Sequence, residues 1–366
     1  MKLTRHNGRS GKHGTYNPRH NDRRFDVENS EHIDAQRAKK NVYWDCYRGF
    51  TTPELRENPE QPDFSFEEIE RMYYYEHYVM ASNPNFEVGV YDLYPTDVEA
   101  GIRNNTKQLL EKGVITAEEL ESRLSRISFT TDIDSELVSR ADLVIEAVFE
   151  DMQIKRDTFA KLEERCRPDT IFCTNSSVMS PSEISAELKH RERFVGTHFW
   201  NPGHLIPLVE VVKSDASSEE TAQTVMEVLR SVGKKPVLCR KDVPGFIANR
   251  MQHALWREAI SIVEHGIADA ATVDEAVRYS FGLRLPQLGP MENADMVGTD
   301  LTYNIHDYIL KDLEDSHEPS PLLKQLRDEG KIGFKTGEGF QKWTPEQVAQ
   351  SNAELNEYLI RMLYGK

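Results

Sequence analysis

Short apolar runs alternate with amphipathic stretches along the middle of the chain. Runs rich in β-branched and aromatic residues predict strands at FEVGVYD, ADLVIEAV, TIFCTNSS, RFVGTHF, LVEVVKS and KPVLCR. Helical spacing predicts two helices in TDVEAGIRNNTKQLLEKGVITAEELESRLSRI and single helices in KRDTFAKLEERC, PSEISAEL and SEETAQTVMEVLRSVG. This alternation predicts an α/β fold, in which helices cover a parallel or mostly parallel sheet.

The pattern changes on both sides of this region. After Pro244-Gly245 the strands stop, and long helices are predicted at FIANRMQHALWREAISIVEHG and TVDEAVRYSFG. The start of the chain, with HNGRSGKHGTYNPRHNDRR, has almost no aliphatic residues and cannot nucleate a core. We therefore predict an irregular basic and aromatic segment at 1–78, an α/β domain at 79–242 and an all-helical domain at 243–366.

The net charge divides along the same lines. The 366 residues carry a net charge of −16, but residues 1–50 hold eleven Lys or Arg against six Asp or Glu. This segment therefore carries +5 and the remainder −21. An acidic body argues against bulk nucleic-acid binding. Basic residues interleaved with Tyr and Trp suit phosphate contact and base stacking, so a nucleic-acid partner is expected only through residues 1–78.

Composition excludes several other classes of protein. The longest apolar runs, such as ADLVIEAVF, fall far short of the roughly 18 residues that a membrane span needs. No apolar stretch follows the charged N-terminus, so a secretory signal is not expected. Four irregularly spaced cysteines predict neither a disulfide framework nor a metal site. A cytoplasmic protein without a bound metal is the simplest expectation.

The segment THFWNPGHLIPLVEVV contains the most informative pair of polar residues. His198 ends one predicted strand and Glu210 lies in the next, and a loop between the strands can bring the two together. A carboxylate that holds one imidazole nitrogen raises the basicity of the other, so the pair can form a general base. Ser177 and Asn249 could both donate hydrogen bonds to a reacting oxygen. Each has a plainer interpretation: a strand-end His is often structural, and a Ser-Ser pair before Pro often caps a helix.

These segments resemble the 3-hydroxyacyl-CoA dehydrogenase family from about Phe86 to the end of the chain. Several motifs occur in the family's order: VYD, ADLVIEAVFED, NSS, the HFxNP-to-VEVV block, PGFIANR and KTGEGF. The resemblance implies a Rossmann-like domain followed by a helical domain that dimerises, and an NAD-dependent oxidoreductase of fatty acid metabolism. It implies that His198 takes the hydroxyl proton, that Glu210 orients His198, and that Ser177 and Asn249 contact the substrate's 3-oxygen.

The same resemblance implies four cofactor contacts. Asp92, which ends the second strand of a dinucleotide fold, is implied to bind the ribose, and an acidic residue there favours NAD over NADP. Glu150 and Lys155 match family positions near the cofactor ribose and the substrate. Asn175 matches a position near the nicotinamide amide.

The substrate is open between two chemical classes. The resemblance favours a 3-hydroxyacyl-CoA such as 3-hydroxybutyryl-CoA. THFWNPGHLIPLVEVV and FGLRLPQLGPMENAD are also similar to the gulonate and carnitine dehydrogenase branch, whose members oxidise 3-hydroxy acids without CoA. CoA phosphates require a basic patch, and the candidates are Lys155 and the pair Lys234-Lys235, whose plainer interpretation is a solvated helix end.

The glycine-rich phosphate loop of a dinucleotide fold is missing. It should stand about 20 residues before Asp92, but residues 66–75 read FEEIERMYYY, and no glycine occurs between Phe50 and Gly89. We therefore expect the first strand and its GxGxxG loop to be absent and NAD to bind weakly or not at all. The neighbours of that strand in the sheet then lack a partner unless an N-terminal segment, NVYWDCY or YYYEHYVM, takes its place.

Residues 1–78 weakly resemble plasmid mobilisation and recombination proteins of the Mob/Pre type, on HNGRSGKHGTYNPRHNDRRF, SEHID, NVYWDCYRGF and YYYEHY. The hypothesis is that the chain joins two unrelated coding segments between Tyr78 and Asn85. Two further interpretations stay open: a DNA-associated mobilisation protein that acts through residues 1–78, and a catalytically inactive fusion.

Overall fold

The computed structural model describes residues 75–92, 98–148 and 150–365. The predictions made for residues 1–74 lie outside this range. They concern the irregular basic segment, its contacts with nucleic acid and the position expected for the glycine loop. In the described part of the chain, no helix is long and apolar enough to cross a membrane.

The chain divides into two compact units, and the first alternates strands and helices as predicted. Its described residues are 75–92, 98–148, 150–247 and 354–365. Its strands are β1 (Val88–Tyr91), β2 (Ile127–Thr130), β3 (Leu143–Glu146), β4 (Ile171–Thr174), β5 (Phe194–Phe199), β6 (Leu208–Lys213) and β7 (Lys235–Cys239). Its helices are α1 (Tyr75–Met80), α2 (Val98–Glu111), α3 (Ala117–Leu124), α4 (Glu136–Ser139), α5 (Met152–Arg165), α6 (Pro181–Ile184) and α7 (Glu219–Ser231). The α/β, Rossmann-like fold class is confirmed.

The strands form two sheets. In the first, β1 and β2 pair in parallel, with Val88 opposite Ile127. The second has the order β3-β4-β5-β6-β7, in which β5 and β6 are antiparallel and the other pairs parallel. Strand β2 was missed in the sequence, because its four residues ISFT follow a helix directly and Phe129 is 36% exposed. A short edge strand leaves little apolar alternation to detect.

Apolar layers cover both faces of the second sheet. On one face, α7 packs against Cys173, Val195 and Val209. On the other, Phe159 of α5 places its ring edge-on to Phe172 and Phe194, at centroid distances of 5.8 and 4.8 Å. Edge-to-face aromatic pairs add roughly 0.5–1.5 kcal/mol to the burial of their area. These layers hold the carboxyl ends of β3 and β4 and the β5–β6 hairpin in place, which is where most of the predicted site residues lie.

The second unit consists of residues 248–353 and is helical. Its helices are α8 (Ala248–Glu264), α9 (Ala270–Arg278), α10 (Phe281–Arg284), α11 (Pro290–Val297), α12 (Thr299–Ile309) and α13 (Pro321–Asp328). Helix α14 (Pro345–Tyr364) begins in this unit, but residues 354–365 belong to the first, where Ile360 is 1% exposed in a cluster with Leu109. The domain boundaries 79–242 and 243–366 stay a prediction.

Candidate active site

His198 and Glu210 form a buried pair in the β5–β6 hairpin. The antiparallel register places His198 directly opposite Glu210, and Nδ1 of His198 lies 2.9 Å from Oε2 of Glu210. The side chains are 7% and 0% exposed. A carboxylate only accepts hydrogen bonds, so it selects the tautomer with the proton on Nδ1 and leaves Nε2 as the nitrogen that can take a proton.

Two further donors bind the Glu210 carboxylate. The Trp200 indole Nε1–H donates to Oε2 over 3.1 Å, and the backbone N–H of Ile247 donates to Oε1 over 2.9 Å. Both oxygens therefore accept hydrogen bonds, as a buried charge requires. Phe246, which precedes Ile247, has a φ of 48°, in the left-handed region that bulky residues rarely adopt.

Aromatic rings flank the imidazole of His198. The ring of Trp200 lies 5.5 Å from it and that of Phe246 lies 5.7 Å from it, between centroids. His198 is 6% exposed and Phe246 2% exposed. This environment limits water around the pair and strengthens the electrostatic interaction between His198 and Glu210.

Asn175 and the two serines after it lie in the loop that follows β4. The side-chain oxygen of Asn175 accepts a hydrogen bond from the backbone N–H of Phe199 over 3.0 Å, so Asn175 ties this loop to the end of β5. The predicted Ser177 is exposed, whereas Ser176 is buried and its hydroxyl bonds to Glu150. The cap of α6 is Ser180, not the Ser-Ser pair.

Lys155 is buried between two carboxylates at the carboxyl end of β3. Its ammonium lies 2.8 Å from Oε1 of Glu146 and 3.3 Å from Oε2 of Glu150, and it donates to the carbonyl of Val148 over 3.2 Å. Burial opposes the charged form, but the charges of Glu146 and then Glu150 outweigh it and raise the pKa of Lys155. Thr174 of β4 donates to the other oxygen of Glu146 over 2.7 Å.

This ion pair decides which of the two predicted cofactor contacts is accessible. The side chain of Lys155 is 1% exposed, and that of Glu150 is 23% exposed. Lys155 is therefore placed to hold the loop that carries Glu150, whose side chain stays partly accessible, and the contact of Glu150 with the cofactor stays a prediction. The contact of Lys155 with substrate or cofactor stays a prediction.

The predicted site residues suit the ribose and nicotinamide groups of a dinucleotide better than its pyrophosphate. Asp92 follows β1, Glu150 follows β3 and Asn175 follows β4, and ligands of open α/β folds bind at the carboxyl ends of the strands. These positions suit the ribose and nicotinamide groups. A glycine-rich turn for the pyrophosphate is found neither in the described part of the first unit nor in residues 51–88 of the sequence. The fit to NAD is therefore partial.

Asn249 and Lys234 complete the set of residues that the sequence singled out. Asn249 lies in the first turn of α8, in the second unit, and its role stays a prediction. Lys234 is 6% exposed and donates to the carbonyls of Gly203 and Ile206, the latter over 2.7 Å. Its interpretation as a solvated helix end is wrong, because the ammonium holds the β5–β6 loop instead.

Three functional neighbours were missed in the sequence: Glu146, Ser176 and Trp200. Glu146 carried a signal, because a charged residue inside the apolar run ADLVIEAV is expected to have a buried partner. Trp200 and Ser176 carried none, because an indole after a strand and a serine in a loop are ordinary residues there.

Comparison with known proteins identifies the family of the chain. Residues 77–243 match the family model "3-hydroxyacyl-CoA dehydrogenase, NAD binding domain", and residues 245–343 match its C-terminal domain. Residues 1–76 lie outside both matches.

The chain is 37% identical over 264 residues to a probable 3-hydroxybutyryl-CoA dehydrogenase of Bacillus subtilis. This alignment covers 71% of this chain and 90% of the relative. It is 36% identical over 243 residues to the 5-formyl-3-hydroxy-2-methylpyridine 4-carboxylate 5-dehydrogenase of Mesorhizobium japonicum. This alignment covers 66% of this chain and 78% of the relative. A crystal structure of an NAD+-dependent enzyme with that activity matches with a TM-score of 0.72 and 31% identity, covering 81% of this chain and 95% of the other. The chain therefore belongs to the 3-hydroxyacyl-CoA dehydrogenase family, NAD-dependent oxidoreductases of fatty acid metabolism.

Proposed function

We propose that this chain oxidises the 3-hydroxyl group of a 3-hydroxyacyl-CoA, with 3-hydroxybutyryl-CoA as the representative substrate. The observation that carries the proposal is the buried pair of His198 and Glu210, with a distance of 2.9 Å between Nδ1 and Oε2. Nε2 of His198 takes the hydroxyl proton, and the Glu210 carboxylate stabilises the imidazolium that forms. NAD supplies the acceptor for the hydride that leaves the same carbon.

The remaining site residues have supporting roles in this proposal. Ser177 and Asn249 donate hydrogen bonds to the 3-oxygen as it becomes a carbonyl. Asp92 and Glu150 bind ribose hydroxyls, Asn175 orients the nicotinamide amide, and Lys155 holds the loop of Glu150. Asn175 has support for a positioning role as well, because its side chain already fixes the end of β5.

A 3-hydroxy acid without CoA is the second candidate substrate. It is favoured by the relative from Mesorhizobium japonicum, whose name describes a pyridine carboxylate rather than a thioester. It is also favoured by the burial of Lys234, which removes one of the cations that the sequence offered to CoA phosphates.

The test is NADH formation with 3-hydroxybutyryl-CoA and with free 3-hydroxybutyrate, each with the unchanged chain and with His198→Asn. The proposal expects turnover of the thioester and a loss of about 10²–10⁴-fold in kcat for the variant, the range for a lost general base. Preference for the free acid would replace the thioester with the second candidate. Unchanged turnover by His198→Asn would refute the mechanism.

We also propose that the second unit forms a homodimer. None of the residues in helices α8 to α13 is buried. Seven large apolar residues of this unit are at least 70% exposed: Ile267, Tyr279, Leu283, Met291, Met296, Tyr303 and Tyr308. Apolar surface of this extent marks an interface. Sedimentation velocity should give twice the chain mass, and a Tyr303→Glu variant should shift the protein toward monomer. A monomer at all concentrations would contradict the proposal.

A further inference from the structure

Phe246 has a backbone conformation that its own side chain disfavours. Among the non-glycine residues of 75–92, 98–148 and 150–365, it is the one with a positive φ, 48°. In this region the Cβ atom of an L-residue comes too close to the following carbonyl oxygen. Gly245, just before it, has a φ of 75°, which glycine adopts freely. A disfavoured backbone persists where the surroundings hold it, and such residues cluster at functional sites.

The surroundings of Phe246 hold both its side chain and its backbone. The ring is 2% exposed and packs in a cluster with Val212 of β6 and Cys239 of β7. The backbone N–H of Phe246 donates to the carbonyl of Val243 over 3.1 Å. The residue is therefore fixed against the strand that carries Glu210.

The left-handed turn directs the next backbone N–H at the catalytic pair. The N–H of Ile247 donates to Oε1 of Glu210 over 2.9 Å. Nδ1 of His198 and the indole of Trp200 bind the other oxygen, Oε2. The terminal torsion of a glutamate is broad and does not fix the carboxylate plane, whereas donors on both oxygens do. A hydrogen bond to a buried charge contributes at least as much as a left-handed residue costs.

We propose that Phe246 is a positioning residue: its left-handed backbone places the N–H of Ile247 on Glu210 and so fixes the carboxylate beside the base. Without this donor the carboxylate is less stabilised and attracts the imidazolium of His198 more strongly. Nε2 then keeps its proton to higher pH, where it cannot accept the proton of the substrate. This inference rests on the proposed function for the role of His198.

The test compares Phe246→Leu with Phe246→Ile. The two new side chains contain the same atoms, but isoleucine branches at Cβ, and a β-branched residue tolerates a left-handed backbone least. The same two substitutions at Phe172 are the matched control. Phe172 is also 2% exposed, but it lies in strand β4, where branching at Cβ is favoured. Hydrogen exchange measures protection of the Ile247 amide, and NADH formation measures kcat, KM and their pH dependence.

The two variants of Phe246 should differ in both measurements. Phe246→Leu should keep the Ile247 amide protected, and Phe246→Ile should lose that protection while β5 and β6 stay protected. The kcat of the Ile variant should be at least about tenfold below that of the Leu variant, with a smaller change in KM, because a hydrogen bond to a charged group is lost. The acid limb of its kcat profile should move up by at least about half a pH unit.

Two observations keep this comparison specific. Burial raises the pKa of the Cys239 thiol, so this neighbour of Phe246 stays neutral along the acid limb. At Phe172, the Ile variant should not have a lower kcat than the Leu variant. A lower kcat there would show that isoleucine acts through packing rather than through the left-handed backbone, and would overturn the proposal.

Other results would also overturn it. These are an unprotected Ile247 amide in the unchanged chain, equal kcat in the two variants of Phe246, or a fall in kcat that leaves the amide protected or the acid limb unmoved. If Phe246→Ile does not fold, Phe246→Gly decides, because glycine adopts a φ of 48° without cost. A protected Ile247 amide in that variant supports the proposal, and an unprotected one overturns it. Amide protection is measured without substrate, whereas the proposed function fails separately if His198→Asn keeps full activity.

Discussion

Replacing Lys155 with Met should strongly destabilise the first unit. The substitution keeps most of the side-chain volume but removes a cation that lies 2.8 Å from Glu146 and 3.3 Å from Glu150, with Lys155 and Glu146 each 1% exposed. Removing one partner of a buried ion pair leaves an uncompensated charge and costs about 3–5 kcal/mol. We expect a loss of that size in the free energy of opening of β3 and β4.

A second substitution should recover part of this loss. In the double variant Lys155→Met/Glu146→Gln, no charge is left at position 146. The new amide can accept from the backbone N–H of Val148, which lies 2.6 Å from Oε1 of Glu146, and can donate to the hydroxyl of Thr174. We therefore expect the double variant to lose only about 1–2 kcal/mol, roughly the net value of one or two hydrogen bonds.

The assay is native-state hydrogen exchange of peptides that contain β3 and β4, because it reports the first unit without assuming that both units unfold together. Lys161→Met is the matched control, since Lys161 lies on the same helix, α5, and is exposed. It should change the opening free energy by less than about 0.5 kcal/mol. A loss below about 1 kcal/mol in Lys155→Met, or no recovery in the double variant, would refute the reasoning.

Three further predictions concern the β5–β6 hairpin. Glu210→Gln should lower kcat about 10²–10³-fold, equivalent to about 2.7–4 kcal/mol, and should change KM little. The reason for the loss in kcat is that both oxygens of Glu210 accept hydrogen bonds, so the NH₂ group of the glutamine must face a donor. Glu227→Gln, at an exposed position, is the charge-matched control. Trp200→Phe keeps a ring beside His198 but removes one donor to Glu210, so kcat should fall about two- to tenfold, and a larger fall would show a different role. Burial and then the charge of Lys234 lower the pKa of His204 to about 4 from 6.5. The unfolded chain therefore binds this proton first as pH falls, and stability should be lost from about pH 6.5 toward pH 4, by about 2 kcal/mol at pH 5. Native-state hydrogen exchange of peptides that contain β5 and β6, compared at pH 7 and pH 5, should show a loss about 2 kcal/mol larger in the unchanged chain than in His204→Asn.

Some features of the site could be read from spacing alone. Twelve residues separate His198 from Glu210, and a short loop between two strands can only return antiparallel, so the sequence indicated that the two side chains could meet. The alternation of strands and helices likewise predicted the fold class, because covered parallel sheets require it. The lack of glycine in residues 51–88 could also be read from the sequence, because a fixed motif at a fixed spacing is recognised without three-dimensional information.

Burial and pairing could not be predicted in this way. The sequence offered Lys155 and Lys234 as cations for CoA phosphates, but in the structure one lies between two carboxylates and the other holds a loop by its carbonyls. Their environments come from residues distant in sequence, and a buried ammonium is tolerated only where those residues supply acceptors. The strand β2 was missed because its pairing with β1, not its own four residues, makes it a strand.

The sequence by itself therefore determined the fold class, the candidate base and the lack of glycine in residues 51–88, since each depends on residue type and local spacing. The tertiary structure decided the rest. It set the register that places His198 opposite Glu210, the three donors to Glu210, and the burial of Lys155 that leaves Glu150 partly accessible. These depend on long-range packing and hydrogen bonding, which join segments that no local pattern connects.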